Sequence, residues 1–330
     1  VLISAAILKE PNRTSGRLLK GALILSACDI VAEAIPDIRE YFYLIERRGW
    51  WGLNDSKLAD IKLVEDLSLW EKTLELFPRA ICLDIGPADF VDTDAFKPLG
   101  FKKRYDGIQV SRWDEFKRSD IFVRAATLLP GRTFLKLGHF SEGGTPEEIA
   151  LRDRDVALAK ELGARVEFPY ATAAGNDGLP RGKETMNRYL NEARVGILTT
   201  RAEGINRFKM ECLAAGIPML VPSDTTHPTK KHIVPGTTGE LFEPTPADLA
   251  RAVEEVLARI EDYDPRGYVT QNTGKPVALK KLKNALLTAC EREGHPYIFN
   301  DIDWDGRNES MRWGEKALGS IRDAIRKVTR

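Results

Sequence analysis

The chain is poor in cysteine and histidine, with four of each in 330 residues. Cys28, Cys82, Cys212 and Cys290 are too widely spaced for a disulfide framework or a metal knuckle. They read as reduced, buried thiols in a cytoplasmic protein. Among His139, His227, His232 and His295 only the middle two are neighbours, and no carboxylate or cysteine pattern completes a metal site around them. Net charge is also missing: Lys+Arg and Asp+Glu are both 49. A general polyanion binder is therefore not favoured, although a local basic patch stays compatible with the count. No apolar run approaches the ~18–20 residues of a membrane span. Residues 1–8 are apolar but carry no basic leader before Lys9-Glu10-Pro11, so they read as a strand rather than a signal peptide. The missing initiator Met implies a trimmed start. Internal repeats and low-complexity tracts are not visible.

What remains is an ordinary globular composition, 43% hydrophobic and 30% charged, long enough for two domains. Residues 1–98 mix strands (21–28, 41–45, 80–84) with a helical pattern at 68–77. Residues 86–98 are turn-rich and aperiodic, and read as a linker. From 99 to 260 the rhythm is regular. Strands at 106–110, 133–137, 164–168, 195–198 and 219–221 alternate with helices at 116–129, 146–162, 184–192, around Glu211, and at 246–260. Such alternation predicts βαβ units and parallel sheets with helices on both faces, which bind ligands at the carboxyl ends of the strands. Residues 261–330 lose the rhythm. They contain a helix near 278–291 and a final helix from Glu309, and from Arg307 onward seven basic and three acidic residues.

Two constellations carry chemistry. Glu203 and Glu211 are separated by seven residues in a strand–turn–helix–Gly–strand unit that closes on Ala214-Ala215-Gly216-Ile217-Pro218. The turn and helix start offer backbone N–H groups to a diphosphate, and the two carboxylates can accept from hydroxyls at opposite ends of a ligand. If the intervening residues are helical, eight steps span about 12 Å and return the second side chain to within roughly 80° of the first. Second, Arg112 and Lys117 follow the strand at 106–110, at the start of the next helix. Cations there neutralise a diphosphate and stabilise a leaving nucleotide.

These residues give the chain its resemblance to a GT-B-fold glycosyltransferase of family 4, the retaining enzymes that use nucleotide-activated sugars. Four stretches match in order: residues 89–98, the interdomain segment; Val110-Ser111-Arg112 with Lys117, the diphosphate clamp; residues 203–218, the two-glutamate signature; and residues 234–244, which follow it. The resemblance implies two Rossmann-like lobes: residues 1–98 an acceptor lobe, shortened or truncated, 99–260 the donor lobe, and 261–330 an extension whose helices pack back toward the first lobe. It implies that Glu203 contacts the donor sugar, that backbone N–H groups of Gly204, Ile205 and Asn206 face the sugar and diphosphate, and that Glu211 holds the ribose. Arg112 and Lys117 hold the diphosphate, Gly138 permits close approach of the nucleotide, and Phe168 to Tyr170 lie near the base. The implied reaction moves a sugar from a nucleotide-sugar to a hydroxyl acceptor with retention and needs no metal or other cofactor.

Asn206 stands where the family usually has a second glycine, and residues 225–232 stand where it often has a Gly-Gly…Glu element. Both departures bear on sugar and base choice. The aromatic cluster Tyr41-Phe42-Tyr43 and Trp50-Trp51, beside Arg47-Arg48, is either core or an acceptor-stacking wall. An acceptor wall would use Trp50, Trp51 and Arg47. The run from Asp301 to Gly306 imitates the start of a calcium loop, but Arg312 occupies the twelfth position. Alternatives kept open are glycosylation of DNA bases as in some phage enzymes, a nucleotide-sugar 2-epimerase, and a non-catalytic nucleotide-sugar binder. The basic tail leaves contact with anionic lipid or nucleic acid open.

Overall fold

The computed structural model describes residues 4–47, 56–140, 144–169, 182–297, 299–306 and 312–329. The chain divides into two compact units, residues 1–90 with 275–330, and residues 91–274. The sequence places these boundaries at 98 and 260.

The first unit begins with strand β1 (Ser4–Lys9), a hairpin of β2 (Asn12–Thr14) and β3 (Arg17–Leu19), and β4 (Gly21–Leu25). Helices α1 (Cys28–Ala34) and α2 (Ile38–Tyr41) lead to β5 (Phe42–Arg47). Next come β6 (Ile61–Leu63), α3 (Trp70–Leu76) and β7 (Ile81–Leu83). β4, β5, β6 and β7 pair in parallel, whereas β1 runs antiparallel to β4. The sheet is therefore parallel through β4, β5, β6 and β7 with an antiparallel strand at its β1 side. The connection from β1 to β4 is a hairpin, too short for the crossover that a parallel neighbour requires.

The second unit holds β8 (Tyr105–Arg112), α4 (Ser119–Thr127), β9 (Phe134–His139), α5 (Pro146–Glu161), β10 (Val166–Glu167) and α6 (Lys183–Asn191). It continues through β11 (Ala193–Ile197), α7 (Arg207–Ala214), β12 (Met219–Pro222), α8 (His227–Lys230), β13 (Gly239–Phe242), α9 (Pro246–Ala258) and α10 (Pro265–Asn272). Its six strands are all parallel, in the order β10-β9-β8-β11-β12-β13. Numbered within the unit this is 3-2-1-4-5-6, the doubly wound order whose reversal point lies between β8 and β11. One face packs on α4 and α9 through Phe122, Val123, Leu249, Val253 and Val256. On the other face α7 comes close: a Cβ at Gly196 of β11 would lie 2.8 Å from Cys212 Sγ of α7 and 2.2 Å from Met219 Sδ. The absent side chain is what lets this helix sit down on the sheet.

Residues 91–100 belong to this unit. Asn187 and Asn191 of α6 hydrogen-bond the backbone of Lys97 and Leu99. Lys183 pairs with Asp92 at 2.8 Å, and the Arg266 guanidinium donates to the carbonyls of Thr93, Phe96 and Ala214. The turn-rich segment read as a linker contains the boundary between the units, and its second half is held to the second unit. Its backbone groups find side-chain partners instead of a ladder.

The tail completes the first unit. Helix α11 (Gly274–Arg292), strand β14 (Arg312–Trp313) and helix α12 (Gly314–Thr329) return to it, and β14 pairs antiparallel with β1. On one face Ala278, Leu282, Ala285 and Leu286 of α11, with Phe299, Ile302 and Trp304, cover Ala22, Ile24, Tyr43 and Ile45. On the other, Ala317, Leu318, Ile321 and Ala324 of α12 cover Leu23, Leu25, Phe42 and Leu44. Residues 275–330 thus add to the first unit what the first 90 residues do not supply alone. Of the aromatic cluster, Phe42 and Tyr43 are core residues on opposite faces of the sheet. Trp50 and Trp51 lie outside the described residues, and Arg47 closes β5, half-buried.

Leu282→Ala removes a fully buried side chain at the centre of this layer. The expected cost is roughly 2–4 kcal/mol in chemical denaturation. A cost below ~1 kcal/mol would show that α11 is not part of the core.

Candidate active site

The site is built where the strand order of the second unit reverses. β8 ends in Ser111 and Arg112, and the next residues do not enter a helix directly. Asp114 accepts from Phe116 N and caps a 3-10 turn, Glu115–Lys117. Arg118 then takes the left-handed conformation at φ 45°, ψ 45° before α4 begins. The predicted helix over 116–129 is thus broken, and Lys117 sits on the turn rather than on α4. Such a conformation costs a non-glycine residue of the order of 1 kcal/mol or more and persists when its surroundings over-determine it. Here they do. Arg118 donates to the Thr199 carbonyl at 2.7 Å and the Thr200 carbonyl at 3.3 Å, and forms a two-toothed pair with Asp224 at 2.7 and 2.8 Å. This pairing leads the causes that hold the Asp224 carboxyl below its usual range.

The loop after β11 is stitched to the same turn. Gln109 Nε2 donates to Thr199 Oγ1 at 2.7 Å in the buried interior, Thr199 Oγ1 donates to the Lys117 carbonyl, and Arg201 N donates to the Phe116 carbonyl at 2.8 Å. Lys117 Nζ then meets Glu203 Oε2 at 2.6 Å, with side chains 13% and 26% exposed. Two residues singled out from separate motifs are therefore in contact. Arg112 is not part of that pair. It is 46% exposed and bonds locally to Asp114 at 3.2 Å.

Glu203 precedes α7, because Asn206 is the N-cap: its side chain accepts from Lys209 N at 2.9 Å. The stretch between the glutamates is a loop followed by a helix, so the all-helical spacing does not apply. Asn206, which stands where the resembled family usually has a second glycine, satisfies the start of α7 with its side chain. Gly204, Ile205 and Asn206 are buried, and Glu211 is 6% exposed within α7.

Beside the Lys117–Glu203 pair lies a positive cluster. In the β8–β9 ladder Arg112 is the register partner of His139 and Ser111 that of Gly138. Lys136, fully buried in β9, donates to Ser111 Oγ and lies 4.9 Å from the centre of the Trp113 ring. Burial pulls the Lys136 amine down to about 7. The Asp155 carboxylate opposes this and the Lys117 charge adds to it. His139 is held to about 4 by burial and by the charges of Lys136, Arg112 and Lys117. Gln109 Oε1, His139 Nδ1 and Thr225 Oγ1 are buried without a protein hydrogen-bond partner. The space in front of Gly138 is filled by Trp113, since a Cβ would lie 2.1 Å from the indole Cε2. Trp113 in turn stacks on Phe168, ring centres 6.3 Å apart. The glycine read as an approach for nucleotide thus admits an indole. Tyr170 is outside the described residues. Cations around a site with unpaired acceptors and donors suit an anionic, hydroxyl-bearing ligand.

Sequence reading did not find Trp113, Arg118, Lys136, Lys209, Thr226 or Thr229. A signal existed for two: Lys136 interrupts the apolar strand Phe134–His139, and Lys209 the buried side of α7. Among the described residues no group of three or more His, Cys, Asp or Glu is placed to hold a metal ion, and no helix is long and apolar enough to cross a membrane.

No protein-family model matches the chain, and no curated protein matches it. Solved structures do. HepE (Alr3699) of Anabaena, crystallised with UDP, has a TM-score of 0.63 at 12% identity, over 78% of this chain and 76% of its own. The fold is GT-B. A glycosyltransferase from Rickettsia africae gives 0.58 at 15% identity over 80% and 79% of the two chains. The lipopolysaccharide outer core galactosyltransferase WaaB gives 0.55 at 17% over 80% and 74%. At such identities the likeness is one of fold, and it agrees with the GT-B resemblance carried by the motifs.

Lys136 makes the site's electrostatics measurable. Its amine titrates lower in the fold, about 7, than its ordinary value of 10.5. Between those values the unfolded chain holds more protons than the native one, so this lysine makes stability rise with pH across that window. Below it the burial penalty is present in full. Lys136→Met is expected to be more stable than the parent at pH 6.5 by roughly 1–3 kcal/mol, with the difference shrinking by pH 9.5 in thermal unfolding. An equal difference at both pH values would show that the lysine is not buried as a charge.

Proposed function

We propose that the protein is a glycosyltransferase that moves a sugar from a nucleotide-diphosphate sugar to a hydroxyl acceptor with retention of configuration. The observation that carries this reading is the Lys117–Glu203 contact at the strand-order reversal, beside Arg112, Lys136 and His139. That position is where doubly wound sheets bind nucleotides. HepE, of the same fold, has been crystallised with UDP and with UDP-glucose.

In this reading the ammonium of Lys117 turns from Glu203 to the donor diphosphate, helped by Arg112. Glu203 then accepts from a hydroxyl of the donor sugar. The bond between the anomeric carbon and the β-phosphate oxygen breaks, and the electron pair stays on that oxygen. The acceptor oxygen bonds the anomeric carbon from the same face and passes its proton to the departing phosphate. The cations stabilise charge that develops on the leaving group, which is where preorganised charge lowers a barrier most. Glu211 binds the ribose, and the N–H groups of residues 204–206 face the sugar and diphosphate. No metal enters the scheme. A cytoplasmic setting belongs to the same reading, since all four cysteines are free thiols.

The test is a thermal-shift screen against UDP-, GDP-, ADP- and dTDP-sugars, in which a ligand at 100 times its dissociation constant adds about 2.7 kcal/mol. With the donor found, Glu203→Gln is expected to slow sugar transfer at least tenfold while keeping nucleotide affinity. Lys117→Ala is expected to lower both, and Glu211→Ala chiefly the affinity. Normal transfer by all three variants would sink the assignment. A product with the sugar altered but no acceptor joined would identify an epimerase instead.

A further inference from the structure

The second glutamate-bearing helix holds a lysine with no part in the scheme above. Lys209 lies in the first turn of α7, six residues after Glu203, and its side chain is fully buried. Its ammonium does not reach solvent. It donates to the carbonyls of Thr229 at 2.7 Å and Lys231 at 2.5 Å, with Pro228 at 3.5 Å. These are carbonyls of the short helix α8 and of the residue after it, groups that a helix end leaves without intrahelical donors. One cation thereby gathers the end of α8 onto the side of α7.

What α8 does with that anchorage is hold Glu203. Thr226 Oγ1 accepts from Glu203 N at 3.1 Å and donates to the Glu203 carbonyl. Thr229 Oγ1 donates to the same carbonyl at 2.9 Å. Both backbone groups of Glu203 are thus tied to two threonine hydroxyls, and Thr229 is itself a residue whose carbonyl Lys209 grips. The side chain of Glu203 is left to face Lys117. A polar chain of this kind is cooperative and fixes geometry more than it adds stability.

We infer that Lys209 is a positioning residue for Glu203: through the carbonyls of residues 228–231 and the hydroxyls of Thr226 and Thr229 it sets the sugar end of the donor subsite and leaves the diphosphate end, at Arg112 and Lys117, untouched. The inference rests on the proposed function for its ligand, and on these hydrogen bonds for its mechanics. A buried cation here does work that a methionine of equal length cannot, because only a donor with three N–H groups converges three carbonyls.

The experiment has two arms, each run on the full chain with Lys209→Met and Thr229→Val. In the first, amide hydrogen exchange is followed in a peptide covering residues 203–206. Both variants are expected to exchange there at least tenfold faster, with residues 219–222 of β12 unchanged as a control for unfolding. Unchanged exchange at 203–206, or equal acceleration in β12, overturns the inference. In the second arm, UDP and UDP-glucose are titrated. UDP affinity is expected to stay within twofold, while the advantage of UDP-glucose over UDP falls at least tenfold in both variants. Parallel loss of both affinities overturns the sugar-end role. Parent protein that binds no nucleotide sugar in the screen overturns the proposed function and the sugar-end role, and the exchange arm then decides separately whether Lys209 holds the Glu203 loop. Thr229→Val serves where Lys209→Met does not fold.

Discussion

The second unit depends on one junction: the turn after β8 and the loop after β11 are bonded into a single surface. Arg118 is held left-handed, and residues 198–203 lie in neither helix nor strand. Their backbone groups must be satisfied by something, since a buried orphan costs about 1–3 kcal/mol. Gln109, Thr199 and Arg118 supply the partners, and the bidentate Arg118–Asp224 pair fixes direction as well as energy. The Lys117–Glu203 contact is the partly exposed product of that stitching. In a doubly wound sheet the strands on either side of the reversal send their chains opposite ways, so only here does a crevice open that two loops can line.

Three fully buried lysines show how the fold handles cations removed from water. Lys62, in the first unit, meets the Glu46 carboxylate, donates to the Ser56 carbonyl at 2.8 Å and lies 3.7 Å from the centre of the Phe77 ring. Its charge is matched by an opposite charge. Lys209 is matched by carbonyl dipoles. Lys136 has a hydroxyl and an indole face, and its amine drops to about 7 as a result. The three thus meet the cost of burying a cation with different partners, a carboxylate, carbonyl dipoles, and a hydroxyl with an indole face. Lys136 is the one of these three that lies beside the candidate site.

Much of the second unit was legible along the chain. The alternation of apolar runs with helical periods from 106 to 260 is a local property, and the strands and helices fall close to the places it marks. The first unit was less legible. Its hairpin at residues 12–19 is exposed and polar, with no alternation to announce it. Helix α12 has a clear apolar stripe, but no stripe names the sheet it will cover. The tail looked like an extension because its partners, Leu23 and Phe42 among them, lie nearly the whole chain away.

The amino-acid order by itself determined the α/β class, the doubly wound rhythm and the two spaced motifs, because helix and strand periods and turn residues act within about ten positions. Tertiary structure alone decided that Lys117 touches Glu203 across 86 residues while Arg112 does not, that Gly138 makes room for Trp113, and that Asn206 caps a helix. Those outcomes follow from strand register and from which backbone groups still lacked partners once the sheet had formed. Spacing along a chain carries no record of either until the strands are side by side.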